Sequence, residues 1–209
     1  MKKLFLLLII LVSTIGFAQK GKTKSKAAAT KNVVLTKVDH ITAEIISEKS
    51  GKRIVLFVKN NDKNDTLEVK KLDKADFKPT NFTVKSFTTQ GKKFYHVNWK
   101  EEIKVDTKLK KETGIVTEDQ LWDIETKTLL LGNIHKTSHI KETIFLDKNK
   151  TASHDVEKNR SEGFEFTLNH DGSFVMKTKT QNSTYVYHAA SSKYELKGAP
   201  KTSGGKKKK

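Results

Sequence analysis

The run "VNWKEEIKVDTKLK", from Val97 to Lys110, constrains the fold more than any other stretch of the chain. Val97, Trp99, Ile103, Val105, Thr107 and Leu109 take alternate places, and Asn98, Lys100, Glu102, Lys104, Asp106, Lys108 and Lys110 fill the places between them. A helix would scatter both groups around its circumference, whereas an extended strand sends one group to a core and the other to water. Glu101 breaks the pattern, being a carboxylate on the apolar side. It is expected near a sheet edge or paired with a lysine, in preference to acting as a functional acid.

The same period recurs in short β-rich runs separated by turn residues. "ITAEII" leads through "SEKSGKR" to "IVLFV", a hairpin centred on Ser50-Gly51. "VLFVK" passes through "NNDKND" to "TLEVKKL", and "FTVKSF" through "TTQGKK" to "FYHVNW", with Gly91 free to take positive φ. "LWDI" turns at "ETKT" into "LLLG", "FEFTL" at "NHDG" into "SFVMK", and that run at "TKTQN" into "STYVYH". Pro79 and Pro200 both stand outside these runs. "TASHDVEKNRSEG" is compatible with one short surface helix ending at Gly163. Successive hairpins without crossover helices predict an all-β antiparallel meander. It is expected to hide its edges as a lipocalin-like barrel or strongly curled half-barrel, with a two-sheet sandwich as the alternative. A membrane-spanning barrel fits less well, because few candidates reach the required ~9–11 residues.

Charge divides the chain into four parts. Residues 1–18 open with Lys2 and Lys3, continue in an apolar run from Leu4 to Val12, and end in small residues at Gly16 and Ala18. This segment resembles a bacterial secretory signal peptide, with cleavage expected between Ala18 and Gln19. Its apolar run falls short of the roughly 20 residues a membrane-spanning helix needs. The chain has no cysteine, so no disulfide can form and no lipoprotein acceptor follows the segment. Residues 19–31 carry Lys20, Lys22, Lys24, Lys26 and Lys31, and residues 197–209 end in Lys206, Lys207, Lys208 and Lys209. Neither tail has an acid or enough apolar bulk to offset its ordering entropy, so both are expected to be disordered. Residues 32–196 hold 28 basic and 24 acidic side chains, a nearly balanced body that is expected to form one domain.

Few motifs carry chemistry. His135 and His139 in "HKTSH", with Glu142, have the spacing of two imidazoles on a zinc-binding helix. Their β-branched surroundings read instead as two strands with a bend, which holds the rings about 13 Å apart. Asp62, Asn64, Thr66 and Asp73 faintly follow a calcium loop, but Leu67 stands where that loop needs glycine. "DTL" at Asp65 to Leu67 resembles an acceptor sequence for bacterial O-glycosylation, with Thr66 carrying the sugar. Nucleophile elbow, phosphate loop and paired zinc motif are missing, and no cofactor is implied. Phe94, Trp99, Trp122, Tyr185 and Tyr187 could line a ligand cavity, with packed core as the expected alternative.

These observations point to an exported, non-enzymatic binding or scaffolding protein, periplasmic or extracellular and peripheral to the envelope. Its lysine tails suit lipid head groups or acidic glycans, and an envelope protein is a further candidate partner. Export argues against nucleic acid as the target. A lipocalin-like carrier of an apolar or sugar-like ligand is the second reading, and an unrecognised hydrolase the third. Expressed in a Gram-negative host, the mature protein should begin at Gln19, which intact-mass spectrometry will read; retained Met1 on exported material would remove the export assignment.

Overall fold

The computed structural model describes residues 32–48, 51–60, 63–72 and 79–198. The signal segment, both lysine clusters, Ser50, Asp62 and Asp73 lie outside the described residues. All regular structure described is β, arranged in three open antiparallel sheets in strict chain order. The first sheet holds β1 (Val33–Val38), β2 (Ile41–Glu48), β3 (Gly51–Asn60) and β4 (Lys63–Leu72). The middle sheet holds β5 (Thr80–Thr89), β6 (Lys92–Asp106), β7 (Lys110–Asp123), β8 (Thr128–Phe145) and β9 (Ser153–Glu162). The last holds β10 (Glu165–Leu168), β11 (Phe174–Lys177), β12 (Asn182–His188) and β13 (Lys193–Leu196). The meander is the expected one, but no sheet closes into a barrel.

Two cores explain the arrangement. Tyr95, Val97 and Trp99 of β6 and Trp122 of β7 face the first sheet, where they pack with Ile41, Ala43, Ile54, Leu56 and Val58. Phe82 stacks on Trp99 at 5.8 Å between ring centroids. The opposite face of β6 meets the last sheet: Phe94 lies 4.8 Å from Tyr187, and His96 lies 5.1 Å from Phe166. Phe174 gathers Tyr185 and Tyr194 at 5.0 and 4.8 Å. The middle sheet is therefore covered on both sides around "FYHVNW", where one-sided alternation predicts water on one face.

Three local expectations are corrected. The alternating run from Val97 to Lys110 is two strands. Thr107 N and Oγ1 both donate to the Lys110 carbonyl, at 2.8 and 3.0 Å, and the Thr107 Oγ1 accepts from the Lys110 N–H at 3.0 Å. This turn preserves the period on either side, which hides it from the sequence. The region around His135 and His139 is one 18-residue strand, with no bend. The segment read as a helix is β9, which pairs with β8 from Lys136↔Glu162 to Phe145↔Ser153. Its helix-compatible composition yields to a ladder supported by side-chain pairs such as Thr143 Oγ1 donating to Asp155 at 2.7 Å.

Two turns depend on glycine. Thr89 faces Lys92 across a two-residue loop, and Gln90 and Gly91 both have positive φ, the geometry that matches strand twist in a tight hairpin. Gly163, with φ +82°, carries the chain from the middle sheet to the last, and a Cβ there would stand 2.0 Å from the Ile134 carbonyl oxygen. Gln90 then joins the same two sheets, donating to the Tyr187 carbonyl at 2.6 Å and accepting from the Ala189 N–H at 3.1 Å.

Trp99 and Phe94 are both fully buried, on opposite faces of one strand. Trp99→Ala and Phe94→Ala should each lower stability by about 3–5 kcal/mol in chemical denaturation. A loss confined to Trp99→Ala would mean that the second face is not a core.

Candidate binding groove

The long strands of the middle sheet run past the cover of both flanking sheets. On the side that carries Phe94 and His96, register places Thr113, His139 and Asn159 in one row across β7, β8 and β9. Ile115, Thr137 and Ser161 form the next row, and His135 stands beyond them opposite Thr117. These rows floor a groove of about 570 Å³ that also takes in Lys179, while Arg160, opposite Ser138, borders it with its backbone and sends its side chain to the other face. It continues into a second hollow of about 710 Å³ between His135 and the turn from β11 to β12, lined by Lys177, Lys179 and Glu165. The two share Thr137, Ser161 and Lys179, so they form one channel open to solvent.

The imidazoles in this channel are held separately. His135 Nε2 lies 3.1 Å from Ser161 Oγ, and His139 Nδ1 lies 3.0 Å from Asn159 Oδ1. The Nε2 of His139 faces Glu157 at 3.1 Å. Glu142 belongs to the other face of β8 and pairs with Lys158, so the three proposed metal ligands do not converge. Among the described residues no three histidine or acidic side chains come together as a metal site. Arg160 pairs with Glu162 at 2.5 Å. Lys177 and Lys179 carry no ion pair among the described residues, leaving their charge available to a ligand.

On the opposite side of the sheet, charged groups are paired with one another. Lys70 reaches from β4 to Glu101 at 2.6 Å and also bonds Glu118, with its ammonium 5.7 Å above the Trp99 ring. The Trp99 indole N–H donates to Glu101 at 3.2 Å. Glu101 is thus paired with a lysine, as its place on the apolar face required. Burial raises the Glu118 carboxyl above its ordinary value against the pull of Lys70. Burial also pulls the Lys70 ammonium down, but its bonds to Glu101 and Glu118 outweigh that and hold it above the ordinary lysine value. Two carboxylates engaged by one ammonium are poorly placed for acid–base chemistry on a substrate.

Farther along that face, Glu112 has only 5% of its side chain exposed and lies between Lys110 at 2.7 Å and Lys136 at 3.0 Å. Lys110 first, and Lys136 second, hold its carboxyl down at about 2.

Trp99, Trp122, Phe94 and Tyr187 are buried and Tyr185 is half-buried. All five belong to the two packed cores and line neither part of the channel. The carrier reading placed them around a ligand cavity; they pack against each other instead. Thr66 is exposed on β4, opposite Phe57, where a sugar could be attached without disturbing the core. Lys177 and Lys179 were not singled out by the sequence. Lys177 ends β11 and Lys179 lies in the turn to β12, whose neighbours are set only by tertiary packing. No protein-family model, curated protein or solved structure matches the chain.

Because the folded carboxyl of Glu112 titrates below the ordinary range of roughly 4.3, its ion pairs contribute fully above that range and are lost as pH falls toward 2. Glu112→Gln should therefore lower stability near neutral pH. In urea denaturation the gap from the parent should close as the pH is taken down to about 2. A gap independent of pH would show that the cost is one of packing.

Proposed function

We propose that the chain is an exported, non-catalytic binding module of a bacterial cell envelope, taking acidic glycans along the channel between β7–β9 and the β11–β12 turn. The observation that carries this reading is the charge imbalance of the channel. Lys177 and Lys179, neither in an ion pair among the described residues, line it with two imidazoles, and Glu165 is the acid among its lining residues. Hydroxyls and amides of Thr137, Asn159 and Ser161 supply the short-range donors and acceptors that a sugar chain needs. An open channel also suits a polymer, which can lie along it, better than a small molecule that must bury most of its surface.

The lysine clusters at residues 20–26 and 206–209 add a second contact to the same kind of anionic surface, lipid head groups included. Each lysine contributes about 1 kcal/mol near such a surface, and salt screens it. Nothing favours the hydrolase reading, since Glu101 and Glu118 are committed to Lys70.

Calorimetric titration with polygalacturonate and dextran sulfate, against neutral dextran, tests the proposal. Both anionic polymers should bind, more weakly as salt rises, and neutral dextran should not. Lys177→Ala/Lys179→Ala should weaken binding about tenfold, the factor that corresponds to roughly 1.4 kcal/mol. Undiminished binding by that variant would exclude the channel and leave the tails as the contact.

A further inference from the structure

At the far end of the middle sheet two turns lie side by side. The β6–β7 turn is tied to β8 by the Thr143 N–H, which donates to the Leu109 carbonyl at 2.9 Å. The β8–β9 turn begins at Leu146, whose N–H donates to the Ala152 carbonyl at 2.9 Å. Three large aliphatic side chains are exposed there on the two faces of the sheet end: Leu109, opposite Thr143, at 48% on one, and Ile144 at 39% and Leu146 at 66% on the other. Neither flanking sheet covers them.

Their surroundings are cationic. Residues 104–111 and 141–158 contain eight lysines and five acids. Two of the acids are paired with lysines, Glu142 with Lys158 and Glu157 with Lys141, while Asp155 and Asp147 accept from neutral donors and keep their charge, so lysines remain in excess. Lys104, Lys108, Lys111 and Lys148 have no partner among the described residues. Lys150 lies over the Phe145 ring at 5.5 Å, which keeps its ammonium beside the aliphatic tip.

We propose that this tip docks on an anionic lipid bilayer, with Leu109, Ile144 and Leu146 entering the interfacial layer and the surrounding lysines meeting the head groups. Exposed aliphatic side chains ringed by unpaired cations match both components of such a surface. A glycan offers nothing for the aliphatic side chains. A stable protein partner needs on the order of 1,000 Å² of interface, which three side chains at a tip do not supply. The channel and the tip are separate, so the bilayer contact does not depend on glycan binding.

The test uses the full chain with vesicles of phosphatidylcholine, either pure or with about a quarter phosphatidylglycerol. The parent should sediment with the anionic vesicles and not with the neutral ones. Leu109→Ser/Leu146→Ser keeps every lysine, those of the tails included, and should lose binding about tenfold. Leu146→Trp provides an independent reading. Its emission should shift to the blue on anionic vesicles and be quenched by brominated acyl chains, while Trp99 and Trp122 stay buried. Lys177→Ala/Lys179→Ala should bind vesicles like the parent, whatever its effect on glycans. Full vesicle binding by the double serine variant, or no shift at Leu146→Trp, would overturn the proposal, as would equal binding to neutral vesicles.

Discussion

Between Phe94 and Trp99 the chain sends alternate side chains into two separate cores, and the other elements are placed by that double burial. The first sheet is held against the indole and tyrosine face, and the last sheet against Phe94. Polar groups caught between must satisfy each other: His96 Nε2 lies 2.8 Å from Asp119 Oδ1, and the Asn98 side-chain amide donates to the same carboxylate at 2.8 Å. Buried polar groups are tolerated when paired in this way. The strands of the middle sheet reach 15, 14 and 18 residues in β6, β7 and β8, whereas β10, β11 and β13 have four each. A short cover on long strands leaves an overhang, and both the channel and the lysine-rimmed tip belong to it.

The overhang stays ordered without a hydrophobic cover because its inner face is laced with ion pairs. Lys70 of the first sheet bonds Glu101 and Glu118 where the cover ends, and Glu112 with two lysines and Glu142 with Lys158 follow beyond it. Exposed pairs contribute little, but enclosed and hydrogen-bonded ones cannot lose a partner without leaving a buried charge. The division of labour among lysines follows from this. Those facing acids hold the sheet, whereas Lys104, Lys108, Lys111, Lys148, Lys177 and Lys179 face solvent and are available to a ligand or surface.

Much of the fold was legible locally. Each hairpin announced by a turn between β-rich runs is present, and Trp99 points inward as alternation requires. What alternation could not reveal was the second cover. "FYHVNW" carries aromatic residues on both faces, Tyr95 and Trp99 on one and Phe94 on the other, but His96 and Asn98 disguise the second as a wet face, and the short strands that cover it begin some 70 residues later in the chain. The turn at Thr107–Lys110 was hidden for a related reason, since its side-chain hydrogen bonds interrupt the strand without interrupting the period. β9 shows the limit from the other direction. A strand polar on both faces has no periodic signature, and β8 alone makes it a strand. The channel inherits that limit, because its polar floor comes partly from β9 and its cations from a turn brought near only by sheet packing.

Strict chain order among the strands has a kinetic consequence. Every ladder joins neighbours in sequence, so each hairpin can form by closing a short loop, and a low average sequence separation of contacts favours rapid folding. The expensive closures are those between sheets: Lys70 with Glu118 spans 48 residues, and Gln90 with Tyr187 spans 97. Hairpins should therefore assemble early and stack late, with the last sheet docking after the rest. Until it docks, Phe94 and the aromatic face around it stand exposed to solvent, and the nascent chain is at its most aggregation-prone.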